Sequence, residues 1–186
     1  MNDTNTISSF RGQYACLKNT AYCPIIFNGD RYPSIENALA AARIPDEHAH
    51  LRHEIMSMDP YKVKEATAIF PVVKDWRSHE QKVLLGFMRQ KFKQGTHVAT
   101  VLSNTGEAWL VDGMRNNNGY WGCNADGTGL NVIGQLLMHR RRELKEHRLF
   151  AWKNIRPFEK RSSVYTSLIH RVSEIRKLWQ DPVVGN

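Results

Sequence analysis

Asn28-Gly29 stands between Pro24-Ile25-Ile26-Phe27 and Asp30-Arg31-Tyr32, and few dipeptides constrain a fold more. Both central positions of a type I′ turn need positive φ, which Asn-Gly supplies at low cost, so the flanking runs are predicted to form a short hairpin. The chain then has no room to wander. Ser34 stands where an N-cap belongs, and Ile35, Ala38, Leu39 and Ala42 follow at helical spacing, predicting a helix from about Ile35 to Arg43. Glu36 falls in its first turn.

Other elements follow from the same periodicities. The stretch from Lys74 to Lys93 carries Val83, Leu84, Phe87, Met88 and Phe92 as one face of an amphipathic helix. Ala108-Trp109-Leu110-Val111 reads as a strand. A further helix is predicted from near Asn131 to near His147, striped by Ile133, Leu136, Leu137, Arg140 and Leu144. Pro157 breaks the pattern, and Val164, Leu168, Val172, Ile175 and Leu178 or Trp179 mark a last amphipathic helix. The expected architecture is α+β: a mainly helical single domain with a small β-sheet over residues 1–149, then a basic helical C-terminal extension over 150–186.

The 186 residues, 41% of them hydrophobic, suffice for one core of ordinary size. No apolar run approaches the roughly 18 residues of a membrane helix, and no secretory leader pattern opens the chain, so a cytoplasmic protein with no membrane partner is expected. Cys16, Cys23 and Cys123 show no CxxC spacing, which argues for reduced thiols and against a zinc site. His48, His50 and His53 lie around Glu47 and Glu54 without an HExxH pattern, and a solvated polar helix accounts for them better than a metal does. Net charge is +8, and from His139 to Asn186 twelve Lys or Arg stand against five Asp or Glu, which puts +7 in that segment. Such a segment attracts DNA, RNA or a pyrophosphate ligand, or simply keeps the chain soluble.

The segment from Asp112 to Gly129 is too long and too rich in Gly and Asn to be filler, and Tyr120 and Trp121 argue against disorder. Glycines before a helix start would let backbone N–H groups approach a phosphate. The segment lacks both a Walker A lysine and a Rossmann fingerprint, and a glycine-rich surface turn is the commoner explanation.

These residues together carry a resemblance. Phe10-Arg11-Gly12, Leu17 and Asn19, then Phe27-Asn28-Gly29 and Tyr32-Pro33-Ser34-Ile35-Glu36, resemble the opening of the NADAR family of YbiA-like proteins. Lys74-Asp75-Trp76, Arg89-Gln90-Lys91-Phe92, Thr105-Gly106-Glu107-Ala108, Tyr120-Trp121-Gly122 and the run Gly129 to Met138 continue it in order, over about residues 10 to 144. The resemblance implies an N-glycosidase acting on an ADP-ribosyl or nucleoside-phosphate substrate, with no metal or other cofactor. Activities in the family include removing ADP-ribose from guanine bases and cleaving ribosylamine intermediates of riboflavin synthesis. A catalytically weakened relative that only binds nucleotide or nucleic acid is the third reading.

Chemistry assigns the roles. Opening a ribose-to-base bond passes through an oxocarbenium-like state, which a carboxylate stabilises while activating water, and Glu36 is the candidate. Helix-dipole pairing is its plainer explanation, worth about 0.3–1 kcal/mol. Trp121 either stacks on the base or lies in the core, and Asn131 either bonds a ribose hydroxyl or caps a helix. Asp112 is a second carboxylate or a turn former. Arg11 and Arg43 are the cations suited to a pyrophosphate, or else surface ion pairs. The resemblance adds Gly12, Asn19, Gly122 and Gly129 as substrate contacts. The chain departs from the family pattern at Asn37 (His), Ala40 (Gln) and Arg43 (Lys), and Leu17 to Tyr22 replaces its LSNFYP. The lost imidazole bears on any proton transfer it would serve. The last helix, with an apolar stripe that must be buried, offers a docking or homo-oligomer surface.

Overall fold

The computed structural model describes residues 6–113, 119–124 and 127–146. In chain order the elements among them are β1 (Thr6–Ile7), a 3-10 helix (Gly12–Leu17), β2 (Ile25–Phe27), β3 (Asp30–Tyr32), α1 (Ile35–Ala42), a 3-10 turn (Asp46–His48), α2 (Leu51–Met56), α3 (Val63–Ala66), α4 (Trp76–Lys91), α5 (His97–Asn104), β4 (Trp109–Leu110) and α6 (Val132–Glu146). The architecture is α+β, mainly helical with small sheets, as the sequence predicts. The expected extension from residue 150 and its last helix lie outside the described residues.

The hairpin forms where Asn28-Gly29 demands it. Asn28 has φ 52° and Gly29 φ 84°, and β2 pairs antiparallel with β3 in the register Ile25 to Tyr32, Ile26 to Arg31 and Phe27 to Asp30. A second pair joins β1 and β4 in parallel, Thr6 to Trp109 and Ile7 to Leu110. The chain separates into two compact units, one made by Cys23–Phe87 and the other by the described residues up to Tyr22 with those from Met88 onward.

In the unit Cys23–Phe87, the alternation of the hairpin turns Ile25, Phe27 and Tyr32 inward. The Phe27 ring meets Phe87 edge-on at 5.8 Å and Tyr32 at 6.4 Å, within the range where aromatic pairs attract beyond simple burial. Buried Ala38, Ala41 and Ala42 give α1 a thin face, which lets neighbouring elements approach closely. Arg52 is buried too, with its charge satisfied by the Ile44 carbonyl at 2.6 Å and Asp46 at 2.8 Å while its guanidinium covers Phe27.

In the other unit, Phe92, Leu102, Leu110 and Leu137 are fully buried. Arg140 donates twice to the Phe92 carbonyl, at 3.2 and 2.7 Å, and so satisfies an acceptor just past the end of α4. Arg141 reaches the Thr105 hydroxyl at 2.7 Å and the Ala108 carbonyl at 2.9 Å. Glu143 is gripped by Arg89, by Arg140 at 3.0 Å and by His139 at 3.3 Å. Burial alone would raise its pKa, but hydrogen bonds from His139, Arg89 and Arg140 and the Arg89 charge outweigh that and hold the carboxyl at about 2. Several basic residues of α6 are therefore structural. No helix among the described residues is long and apolar enough to cross a membrane.

Candidate active site

The start of α1 is built from two side chains. Ser34 Oγ caps the helix by accepting the Asn37 N–H at 3.2 Å and donates to Asn37 Oδ1 at 2.6 Å. Asn37 then donates through Nδ2 to the carbonyls of Ile55 at 3.0 Å and Met58 at 2.9 Å, at the C-terminal end of α2. Asn37 is fully buried. At the position where the family pattern has histidine, this chain therefore has a brace inside the unit. Ala40, where the family pattern has Gln, is also buried.

Glu36 occupies the second position of this fixed first turn and is half-buried. Arg43 follows seven residues later, two helical turns on, and therefore shares its face. Its guanidinium donates to the Thr67 carbonyl and, at 2.9 Å, to Thr67 Oγ1. Burial pushes the Arg43 pKa down, and the Glu36 charge opposes this. One nitrogen of the fork of Arg43, a cation expected to meet a pyrophosphate, is thus committed to Thr67.

The second group of expected site residues gathers at the start of α6. Asn131, at φ 50° and 4% exposed, accepts the Asp112 N–H on Oδ1 at 3.0 Å and donates from Nδ2 to the Leu110 carbonyl at 2.8 Å. It locks β4 to α6. The Asp112 carbonyl accepts from the Cys123 N–H at 2.9 Å. The N–H groups of Leu130, Asn131, Val132 and Ile133 donate to the carbonyls of Gly119, Gly122, Tyr120 and Trp121 respectively. Among the described residues, these carbonyls take up N–H groups that would otherwise face an anion at the start of α6. Gly129, at φ 131°, lies so close to the loop that an added Cβ would stand 2.6 Å from the Gly122 carbonyl oxygen and 2.8 Å from that of Gly119. Gly122 and Gly129 thus serve the loop's own closure. Trp121 keeps its indole partly exposed, with the Tyr120 ring edge-on at 4.9 Å.

Arg11, Gly12 and Asn19 surround the Gly12–Leu17 helix in the same unit as Trp121. Arg11 is exposed and precedes the helix, Gly12 has φ 52°, and Asn19 is buried with no hydrogen-bond partner for its Oδ1. Beside Asn19, the Lys18 carbonyl accepts from the buried Lys91 ammonium at 2.6 Å. Asn37, Thr67 and Lys91 carry structural weight that composition and spacing did not reveal. Among the described residues no group of three His, Cys, Asp or Glu is arranged to hold a metal ion.

Compared with solved structures, the chain matches the NMR structure of the E. coli protein YbiA with a TM-score of 0.65 and 28% identity, over 87% of this chain and 94% of that one. It is therefore a protein of the YbiA-like α+β class. The family model of the NADAR domain matches residues 7–145, and the chain belongs to the NADAR family. Among curated relatives, N-glycosidase YbiA of Escherichia coli (strain K12) is 31% identical over 134 residues, covering 70% of this chain and 82% of its own. A riboflavin biosynthesis protein of Vibrio vulnificus is 29% identical over 139 residues, covering 70% of this chain but only 36% of that protein.

Proposed function

We propose that the chain is an N-glycosidase that hydrolyses a ribose-to-base bond, with Glu36 as the working carboxylate. The observation that carries this reading is Glu36 itself: a half-buried carboxylate on a side-chain-capped helix turn, on the helix face of the anchored Arg43, in a chain similar to a named N-glycosidase. A carboxylate so held stabilises positive charge at C1′ as the bond to the base opens, and its oxygen can take a proton from the attacking water.

The substrate we favour is ADP-ribosylated guanine, in nucleic acid or as a nucleotide. Charge supports this choice, since Arg140 and Arg141 are used internally, yet eight further Lys or Arg follow residue 147 against three Asp or Glu. A ribosylamine intermediate of riboflavin synthesis is the second reading, favoured by the similarity to the Vibrio vulnificus protein.

Chromatography of an oligonucleotide bearing ADP-ribosylated guanine, incubated with wild type or Glu36→Gln, tests both. The wild type is expected to release ADP-ribose and restore guanine, and the variant to be slower by roughly 10²–10⁴-fold. Release from a ribosylamine alone would move the assignment to the second substrate. Salt-sensitive binding without release from either would reduce the chain to a binding protein.

A further inference from the structure

Thr67 belongs to no motif, yet it is fully buried at the end of α3. Its hydroxyl donates to the Val63 carbonyl at 2.7 Å, which commits the proton and leaves the oxygen as an acceptor. The Arg43 guanidinium takes that acceptor at 2.9 Å and the Thr67 carbonyl as well. The Arg43 backbone is tied at the same time, its N–H to the Leu39 carbonyl at 3.2 Å and its own carbonyl to the Val73 N–H at 2.7 Å. Arginine in place of the family pattern's lysine keeps the charge and changes the reach, and Thr67 is what this side chain reaches.

We propose that Thr67 is a positioning residue that holds the Arg43 guanidinium as the fixed counter-charge of Glu36. Its part in turnover rests on the N-glycosidase reading; its effect on the carboxylate does not. The elements packed on α1 also carry Asp30, Arg31 and Tyr32 on β3, Arg52, His53 and Glu54 on α2, and Lys64 and Glu65 on α3. Arg52 is engaged by Ile44 and Asp46, while Arg31, His53, Glu54, Lys64 and Glu65 are exposed, where solvent and salt weaken their fields. Arg43 is different because its position is held at both ends.

The test follows the Glu36 carboxylate by ¹³C NMR titration in wild type, Thr67→Val, Thr67→Ser and Arg43→Gln, with kcat and KM measured alongside. Thr67→Val and Arg43→Gln are expected to raise the Glu36 midpoint, and Thr67→Ser to return it towards wild type. In turnover, Thr67→Val should lower kcat roughly tenfold and leave KM nearly unchanged, because it misplaces a charge without removing a substrate contact. Should the valine variant not fold, Arg43→Gln carries the test. A midpoint unmoved by the substitutions that fold overturns the proposal, whether or not any substrate is cleaved. A shifted midpoint in a chain that hydrolyses no N-glycoside would retain the positioning role and sink the glycosidase reading alone.

Discussion

Helices α1 and α6 begin in opposite ways. At α1 the Ser34 side chain caps the Asn37 N–H and also bonds the Asn37 side chain, and a carboxylate stands beside them in the first turn. At α6 four carbonyls of the Gly119–Gly122 segment meet four successive N–H groups. The difference separates chemistry from architecture. A side-chain cap occupies one edge of a helix start, whereas a carbonyl cap covers the donors and turns oxygen lone pairs where an anion would sit. Glycine before a helix therefore does not by itself make a phosphate site; the direction of the carbonyls decides.

If the α6 start is architecture, Gly134→Ala should show the largest stability effect. An added Cβ would lie 2.1 Å from the Leu110 carbonyl oxygen and 2.4 Å from the Asn131 amide nitrogen, so β4 and α6 would have to part. Alanine's better helix propensity, about 1 kcal/mol, should be swamped by a loss of about 3 kcal/mol or more in urea unfolding. A neutral or stabilising result would break the comparison.

Acid should act on this unit next. The Glu143 carboxyl is held at about 2 against an ordinary 4.5. A depressed folded-state pKa means that its stabilisation is fully present above about pH 4.5 and is lost as pH falls towards 2. Urea midpoints measured between pH 6 and 3 should fall in wild type, and Glu143→Gln should be less stable at neutral pH with a flatter slope. Asn131→Ala comes third, at about 2 kcal/mol, because it strands the Asp112 N–H and Leu110 carbonyl and forces alanine to positive φ. KM of the folded fraction should hardly change, which separates a brace from a ribose contact.

What could be read from the sequence was local. Asn28-Gly29 forced its hairpin, Ser34 capped its helix, and apolar stripes located α4 and α6 to within a few residues. The β1 to β4 pair was hidden because each strand has two residues and the partners are far apart in sequence. Helix α5 was missed despite a local signal, Thr96 capping Ala99 at 3.2 Å ahead of buried Leu102. In the candidate site, the position of Glu36 was legible because it depends on one helix start. The bonds of Asn37, Arg43 and Asn131 were not, since each ends on a backbone carbonyl or N–H that only the tertiary fold brings near.

Ser34→Ala has the smallest expected effect on stability and the sharpest bearing on the comparison. It removes the acceptor of the Asn37 N–H and the donor to Asn37 Oδ1, but Asn37 keeps its two bonds to the end of α2. The helix should therefore survive with a loss of about 1 kcal/mol, typical of an N-cap. Glu36 lies inside the turn that the cap closes, so activity should fall by more than stability alone dictates, and the loss should appear in kcat. Ser34→Thr keeps the hydroxyl and should restore much of it. Equal activity in Ser34→Ala and wild type would mean that the first turn of α1 holds its geometry without the cap, and the side-chain start would then be architecture as much as the carbonyl one.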